Sequence, residues 1–274
     1  MRVVEYNDLV CVKDREALRD LIDFLRKETI DYRVLGWGAN QILKALDNGI
    51  YIKLNFFFDK KVLEQEQKEY KLPASVSLAV LTSAASKFGI SGWEVFTGIP
   101  ASLGGAVYMN AGTSLGEMSS IVQSVEVVSR NAEFKTYFVS EKDFSYRKNN
   151  FLSPGDVITG VTLKHAGKNT NTKDIINNYL KFRVETQPLK EKTCGCMFKN
   201  HYENDMMTCR AGRSIDIMGL KGLVYKDLQV GHKHANFMVN LGRATHEDVD
   251  VFIKMIQSEL YLQYGVKFEI EFEI

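Results

Sequence analysis

Six glycines, Gly92, Gly98, Gly104, Gly105, Gly112 and Gly116, lie within 25 residues of each other in an otherwise apolar stretch. The segment Gly98–Gly116 opens on Gly98-Ile99-Pro100, continues through Ser102 and Gly104-Gly105-Ala106, and reaches Met109-Asn110-Ala111-Gly112. It reads as one long loop. Loops of such length in a compact domain are usually functional or disordered, and this one is too apolar for disorder. Without a Cβ, backbone can touch a flat or anionic ligand closely. A ligand cradle accounts for the glycine density better than a plain structural loop does.

Around this segment the pattern alternates between strand and helix. Val3–Val12 reads as a strand, and Asp14 caps a helix with Leu18, Leu21, Ile22 and Leu25 on one face. Tyr32–Leu35 and Ile50–Leu54 are extended runs separated by Gly36-Trp37-Gly38-Ala39-Asn40. Asp59–Lys71 is dense in charge and reads as a solvated face. Ser77–Phe88 is a helix, Val122–Val128 and Val157–Leu163 are strands, and Thr172–Glu185 is a helix with Ile175, Ile176, Tyr179 and Phe182 on one side. Pro188 ends it. Near the C-terminus Thr245 and Asp248 form a capping box for a helix ended by Gly265. Val266, Phe268, Ile270, Phe272 and Ile274 then alternate with Lys267, Glu269, Glu271 and Glu273, a period-2 strand.

Charge narrows the function. Thirty-five basic and 34 acidic residues leave a net charge of +1 over 274 residues, which argues against a protein that coats nucleic acid. No apolar run approaches the roughly 18 residues of a membrane span, and the opening residues carry no secretory pattern. The expectation is a cytoplasmic protein, a monomer or weak oligomer, with no nucleic-acid or membrane partner. Cys11, Cys194, Cys196 and Cys209 are then free thiols.

Several residues offer chemistry. Gly36-Trp37-Gly38 can turn backbone N–H groups onto an anion, but it lacks a third glycine and a following helix, so it is no Rossmann fingerprint. Arg147 can fork onto a carboxylate or phosphate. Cys196, two residues from Cys194, can donate a proton or attack as a thiolate; a metal site of Cys194, Cys196, His201 and Cys209 is an alternative of unusual spacing. His234 and Glu271 each have an ordinary structural reading, one as a satisfied histidine and the other as a wet strand face.

In order and spacing these segments resemble the UDP-N-acetylenolpyruvoylglucosamine reductase (MurB) family. Gly36 to Asn40 is similar to its Gly-x-Gly-Ser-Asn loop, and Trp93 to Gly112 to its Gly-Ile-Pro-Gly segment. Tyr146-Arg147, Gln187-Pro188 through Asn200, Lys233-His234-Ala235-Asn236-Phe237 and Glu271 follow in the family's order. The short interval between Arg147 and Gln187 resembles its type II branch.

The resemblance implies an α+β fold with a two-subdomain FAD-binding region of the PCMH/VAO type and a C-terminal α+β substrate-binding domain. The subdomains would be residues 1–55 and 56–187, the second joined by the final strand 265–274, with substrate bound by 188–264. It implies FAD as cofactor, NADPH as co-substrate, no metal, and reduction of UDP-N-acetylglucosamine enolpyruvate to UDP-N-acetylmuramate for peptidoglycan. A non-catalytic relative that binds a UDP-sugar or a partner is the alternative. By position, Gly36, Gly38, Ala39, Asn40, Gly98, Ile99, Pro100, Ser102, Gly104, Gly105, Asn110 and Ala111 would hold FAD. Tyr146, Lys199, Asn200 and His234 would bind substrate, and Arg147, Cys196 and Glu271 would be catalytic.

The chain also departs from the pattern. Cys196 stands where the family has its proton-donating serine, Ala39 replaces a serine, Ala101 a glycine, and Lys226 a glycine; Trp37 replaces a small residue and His201 a proline.

Overall fold

The computed structural model describes residues 8–204 and 206–273. The start of the expected strand Val3–Val12 and Ile274 lie outside them. The described residues separate into two compact units, one of 8–37 with Leu46–Lys181 and one of Gly38–Ala45 with 182–273.

The larger unit begins with a parallel three-stranded sheet in which Gly49–Leu54 lies between Leu9–Val12 and Asp31–Val34. Helix α1 (Arg15–Lys27) connects the outer strands, its first turn capped by the Asp14 carboxylate accepting from Ala17 N. Its apolar stripe buries Leu18, Ile22 and Leu25 in a cluster with Val12, Ile52, Val128 and Val157. A second, antiparallel sheet runs Glu69–Pro73, Val157–Lys164, Val122–Val128, Phe134–Phe138. Helices α2 (Leu78–Phe88) and α3 (Leu103–Tyr108) contribute to its core, with Trp93 and Phe96 fully buried there. Charge density in Asp59–Lys71 conceals two anchors of that core, Leu63 and Tyr70. Helix α4 (Thr172–Thr186) follows. Of its expected apolar face only Ile176 is fully buried, while Ile175 and Phe182 are exposed.

The glycine-rich segment is not wholly a loop, because α3 forms inside it. Two glycines in a first turn disfavour helix, but Ser102 caps it through its hydroxyl, which accepts from Gly105 N at 3.3 Å, and Leu103, Ala106 and Val107 are buried. Tertiary packing overrides propensity here. Backbone bonds fasten the segment to the chain around α2: Leu78 N to Ala101 O, Leu103 N to Val76 O and Gly104 N to Ala74 O.

The smaller unit holds an antiparallel sheet ordered Thr193–Cys196, Phe237–Asn240, Leu228–Val230, Val224–Tyr225. Helices α5 (Ala211–Ile217) and α6 (His246–Tyr264) pack with it around Phe198, Met238, Phe252 and Ile256. The alternation after Gly265 survives in burial, with Phe268 and Phe272 buried, but the expected terminal strand does not form as a ladder. Its segment makes isolated bridges, Ile270 with Phe198 and Glu273 with Gln41. Phe268 and Phe272 pack in the core that contains Ile42, Phe198 and Ile215. Among the described residues no helix is long and apolar enough to cross a membrane.

The capping box of α6 is present, with Asp248 N donating to Thr245 Oγ1 and Thr245 N to Asp248 Oδ2. Lys226, whose φ of 49° explains why glycine suits its position, places Nζ 2.5 Å from Asp248 Oδ1. The ammonium, with the Thr245 amide, holds the Asp248 carboxyl down at about 2.

Two outcomes follow from this packing. A Cβ on Gly104 would stand 2.8 Å from Ala74 Cβ, so Gly104→Ala should lose about 1–3 kcal/mol in denaturant unfolding. Asp248 is depressed in the folded state, so its stabilisation is present above the ordinary carboxylate range and lost as pH falls from about 4 to about 2. Unfolding midpoints measured across that interval should therefore fall more steeply for the native sequence than for Asp248→Asn.

Candidate active site

The two glycine-rich segments meet within the larger unit. A Cβ built on Gly36 would stand 3.1 Å from Ser102 Oγ, and one on Gly105 3.2 Å from the same atom. Gly98 takes a φ of 73°, outside the usual range of residues with side chains. Gly98, Ile99 and Pro100 also line an open groove of about 790 Å³ with Thr82, Ser83, Lys87 and Lys173. Bare backbone approaching a hydroxyl from two segments, next in chain to a groove edged by two lysines, suits an anionic, flat cofactor. The residues present therefore fit FAD.

Arg147 sits beside this loop's far end. Phe144–Ser145 and Lys148–Asn149 form a short antiparallel pair joined by Tyr146-Arg147. Arg147, at the second turn position, has a φ of 56°, where glycine or asparagine is the usual occupant. Its side chain is 17% exposed, and NH2 donates to Gly112 O at 3.1 Å. NH1 lies 3.6 Å from Glu117 Oε1, and the guanidinium stacks 4.9 Å from the Tyr146 ring. Asn110 is 1% exposed and also left-handed, with a φ of 45°. Its Nδ2 donates to Glu117 Oε2 and to Ser145 O, and its Oδ1 accepts from Ser119 N. The Asn110 side chain is thus engaged by protein through both of its polar atoms. Sequence reasoning missed Glu117, whose only signal was a carboxylate directly after Gly116.

In the smaller unit the remaining predicted residues gather along one backbone path. Asn40 Nδ2 donates to Glu271 O at 3.1 Å, and Glu273 N to Asn40 O at 3.0 Å. Glu271 N donates to Met197 O, next in chain to Cys196. Cys196 pairs with Phe237 across the sheet, and Gly195 before it has a φ of 90°. Asn236, 3% exposed, clamps Phe198, two residues past Cys196, from both sides: Phe198 N donates to its Oδ1 and its Nδ2 donates to Phe198 O. Asn236 is a second residue whose part was not foreseen.

Lys199 donates to Glu269 through both its backbone N and its Nζ, the latter at 3.1 Å. The Asn200 side chain accepts from Ala211 N at the start of α5. Burial, with Lys221 nearby, lowers the pKa of His234, and its Nδ1 accepts from Asn236 N. A neutral ring of this kind carries its proton on Nε2.

The two neighbouring cysteines differ in kind. Cys194 is buried, and burial pushes its thiol up to about 12; Cys196 is half-buried. Among the described residues no three His, Cys, Asp or Glu side chains lie together so as to hold a metal ion.

Comparison with known proteins agrees with this picture. Residues 8–136 match the model of an FAD binding domain, and residues 187–274 the C-terminal domain of UDP-N-acetylenolpyruvoylglucosamine reductase. The reductase of Chlamydia pneumoniae is 34% identical over 94% of this chain and 82% of its own length. A reductase of Thermus thermophilus is 38% identical over 93% of this chain and 90% of its own length. The crystal structure of the Thermus caldophilus enzyme superimposes with a TM-score of 0.78 at 34% identity, covering 97% of this chain and 91% of that one. The fold is accordingly an FAD-binding region of the PCMH type joined to a reductase C-terminal domain, and the chain belongs to the UDP-N-acetylenolpyruvoylglucosamine reductase family.

Proposed function

We propose that this protein reduces UDP-N-acetylglucosamine enolpyruvate to UDP-N-acetylmuramate, an FAD- and NADPH-dependent step in making peptidoglycan precursors. It acts in the cytoplasm, as a monomer or weak oligomer. The observation that carries the reading is Arg147, a guanidinium held nearly out of water on a turn strained by a left-handed φ of 56°. Strain of this kind persists where surrounding contacts over-determine the backbone, and it concentrates at functional sites.

Gly36, Gly38, Ala39 and Asn40, with Gly98, Ile99, Pro100, Ser102, Gly104, Gly105, Asn110 and Ala111, hold the cofactor. The FAD-binding part is assigned to 1–55 and 56–187 and the substrate domain to 188–264. FAD held there would supply the redox chemistry that couples oxidation of NADPH to reduction of the enol ether at its terminal carbon.

The remaining chemistry falls to side chains. Addition at the terminal carbon drives negative charge into the substrate carboxylate, and Arg147 stabilises it by a two-pronged contact. Glu271 adds a hydrogen bond to that carboxylate when protonated. Cys196 then gives its proton to the adjacent carbon, in the place of the family's serine. A free thiol titrates near 8.5, so the donor is a stronger acid than a hydroxyl. Tyr146 covers one side of the guanidinium, while Lys199, Asn200 and His234 bind the nucleotide sugar.

The purified protein should be yellow. Mixed anaerobically with NADPH it should bleach, and the enolpyruvyl substrate should restore its colour. In Cys196→Ala the bleaching should proceed at the native rate and the return of colour should slow by about 100-fold or more, the scale of a lost general acid. Native-rate recovery in that variant overturns the role of Cys196, and a colourless protein that takes up no added FAD overturns the whole reading.

A further inference from the structure

Glu117 has no place in the chemistry above, yet both of its carboxylate oxygens are engaged. Oε2 accepts from Asn110 Nδ2 at 2.9 Å, and Oε1 lies 3.6 Å from Arg147 NH1. Three features show that the chain is arranged around this contact. Gly112 faces Glu117 across a two-residue antiparallel pair, and a Cβ on Gly112 would stand 2.6 Å from Glu117 Cγ. The missing side chain therefore leaves the path the Glu117 side chain takes, while the Gly112 carbonyl accepts from Arg147 NH2. Asn110, buried and left-handed, donates both to Glu117 and to the carbonyl of Ser145, two residues before Arg147. A single buried amide thereby fixes the carboxylate and the turn that carries the guanidinium. The main chain of Glu117 is tied as well, its carbonyl accepting from Ser120 Oγ.

We propose that Glu117 is a positioning residue for the reduction, setting the direction of the Arg147 guanidinium before substrate arrives. The proposal rests on the assignment of Arg147 as the carboxylate-binding group. An adjacent carboxylate partly neutralises the guanidinium and so works against simple attraction of an anionic substrate. What it contributes is orientation: a planar fork must meet a carboxylate edge-on to make two bonds, and small misplacements of a catalytic group are costly in rate.

Glu117→Gln separates the two contacts, because an amide oxygen still accepts from Asn110 while the ion pair to Arg147 is lost. In this variant FAD content, thermal midpoint and the rate of reduction by NADPH should match the native protein. Reoxidation by the enolpyruvyl substrate should slow roughly tenfold, the weight of one charge-assisted contact. Calorimetric binding of the same substrate to the oxidised protein should weaken by less than the rate falls. Glu117→Gln combined with Arg147→Lys should be no slower than Arg147→Lys alone, as expected of two residues that act through one contact.

Independent, multiplying effects in the double variant overturn the proposal, as does loss of FAD or equal slowing of both half-reactions in Glu117→Gln. Native reoxidation in Glu117→Gln, with a slow Arg147→Lys, overturns the role of Glu117 alone. Native reoxidation in Arg147→Lys overturns the assignment of Arg147, and the role of Glu117 falls with it.

Discussion

Close approach of bare backbone is the constraint on which the rest of the larger unit depends. Gly36 and Gly105 both face Ser102 Oγ at distances that leave a Cβ little room. Gly104 presses on Ala74 while its N–H donates to the Ala74 carbonyl. A side chain on Gly36 would press on the second segment at Ser102, and one on Gly104 would press on Ala74. The same contacts carry the chain from Ser102 into α3, whose cap is that very hydroxyl. One serine therefore marks the meeting of the glycine segments and starts the helix that leads to Asn110.

From Asn110 onward the structure holds polar groups at strained backbone. Asn110 and Arg147 both have positive φ without being glycine, a conformation that costs of order 1–3 kcal/mol at each position. The contacts that oppose this strain are on the same residues: two hydrogen bonds donated and one accepted by the Asn110 side chain, and the Gly112 carbonyl and Glu117 carboxylate on Arg147. The smaller unit uses another device for a similar end. There Asn236 brackets the backbone of Phe198 on both sides, which fixes the segment that carries Cys196 and Lys199.

Much of this was legible in the residue order. Caps announced themselves, since Asp14 and the Thr245–Asp248 box are local signals whose partners lie three residues away. The strand Val122–Val128 was readable from its apolar residues alone. Helix α3 was not, because Gly104 and Gly105 argue against helix locally and only burial of Leu103, Ala106 and Val107 reverses the balance. The terminal segment showed the period of a strand, yet its backbone partners are Asn40, Ile42, Met197 and Lys199 rather than a neighbouring strand. Nothing within ten residues of Gly265 encodes such distant pairing. Motif strings singled out Arg147, Cys196 and Glu271 as candidates but could not distinguish groups that would face ligand from groups that would brace them. Asn110 and Asn236 sat inside recognised strings as bracing residues, and Glu117 lay outside every string.

The claim that glycine at the meeting point exists to admit a cofactor is tested most directly by the flavin content of Gly36→Val. The account predicts a folded protein, by circular dichroism and thermal unfolding, that purifies without flavin absorbance and binds added FAD at least about tenfold more weakly than the native chain. A Gly36→Val protein that carries one FAD per chain with native affinity would contradict it.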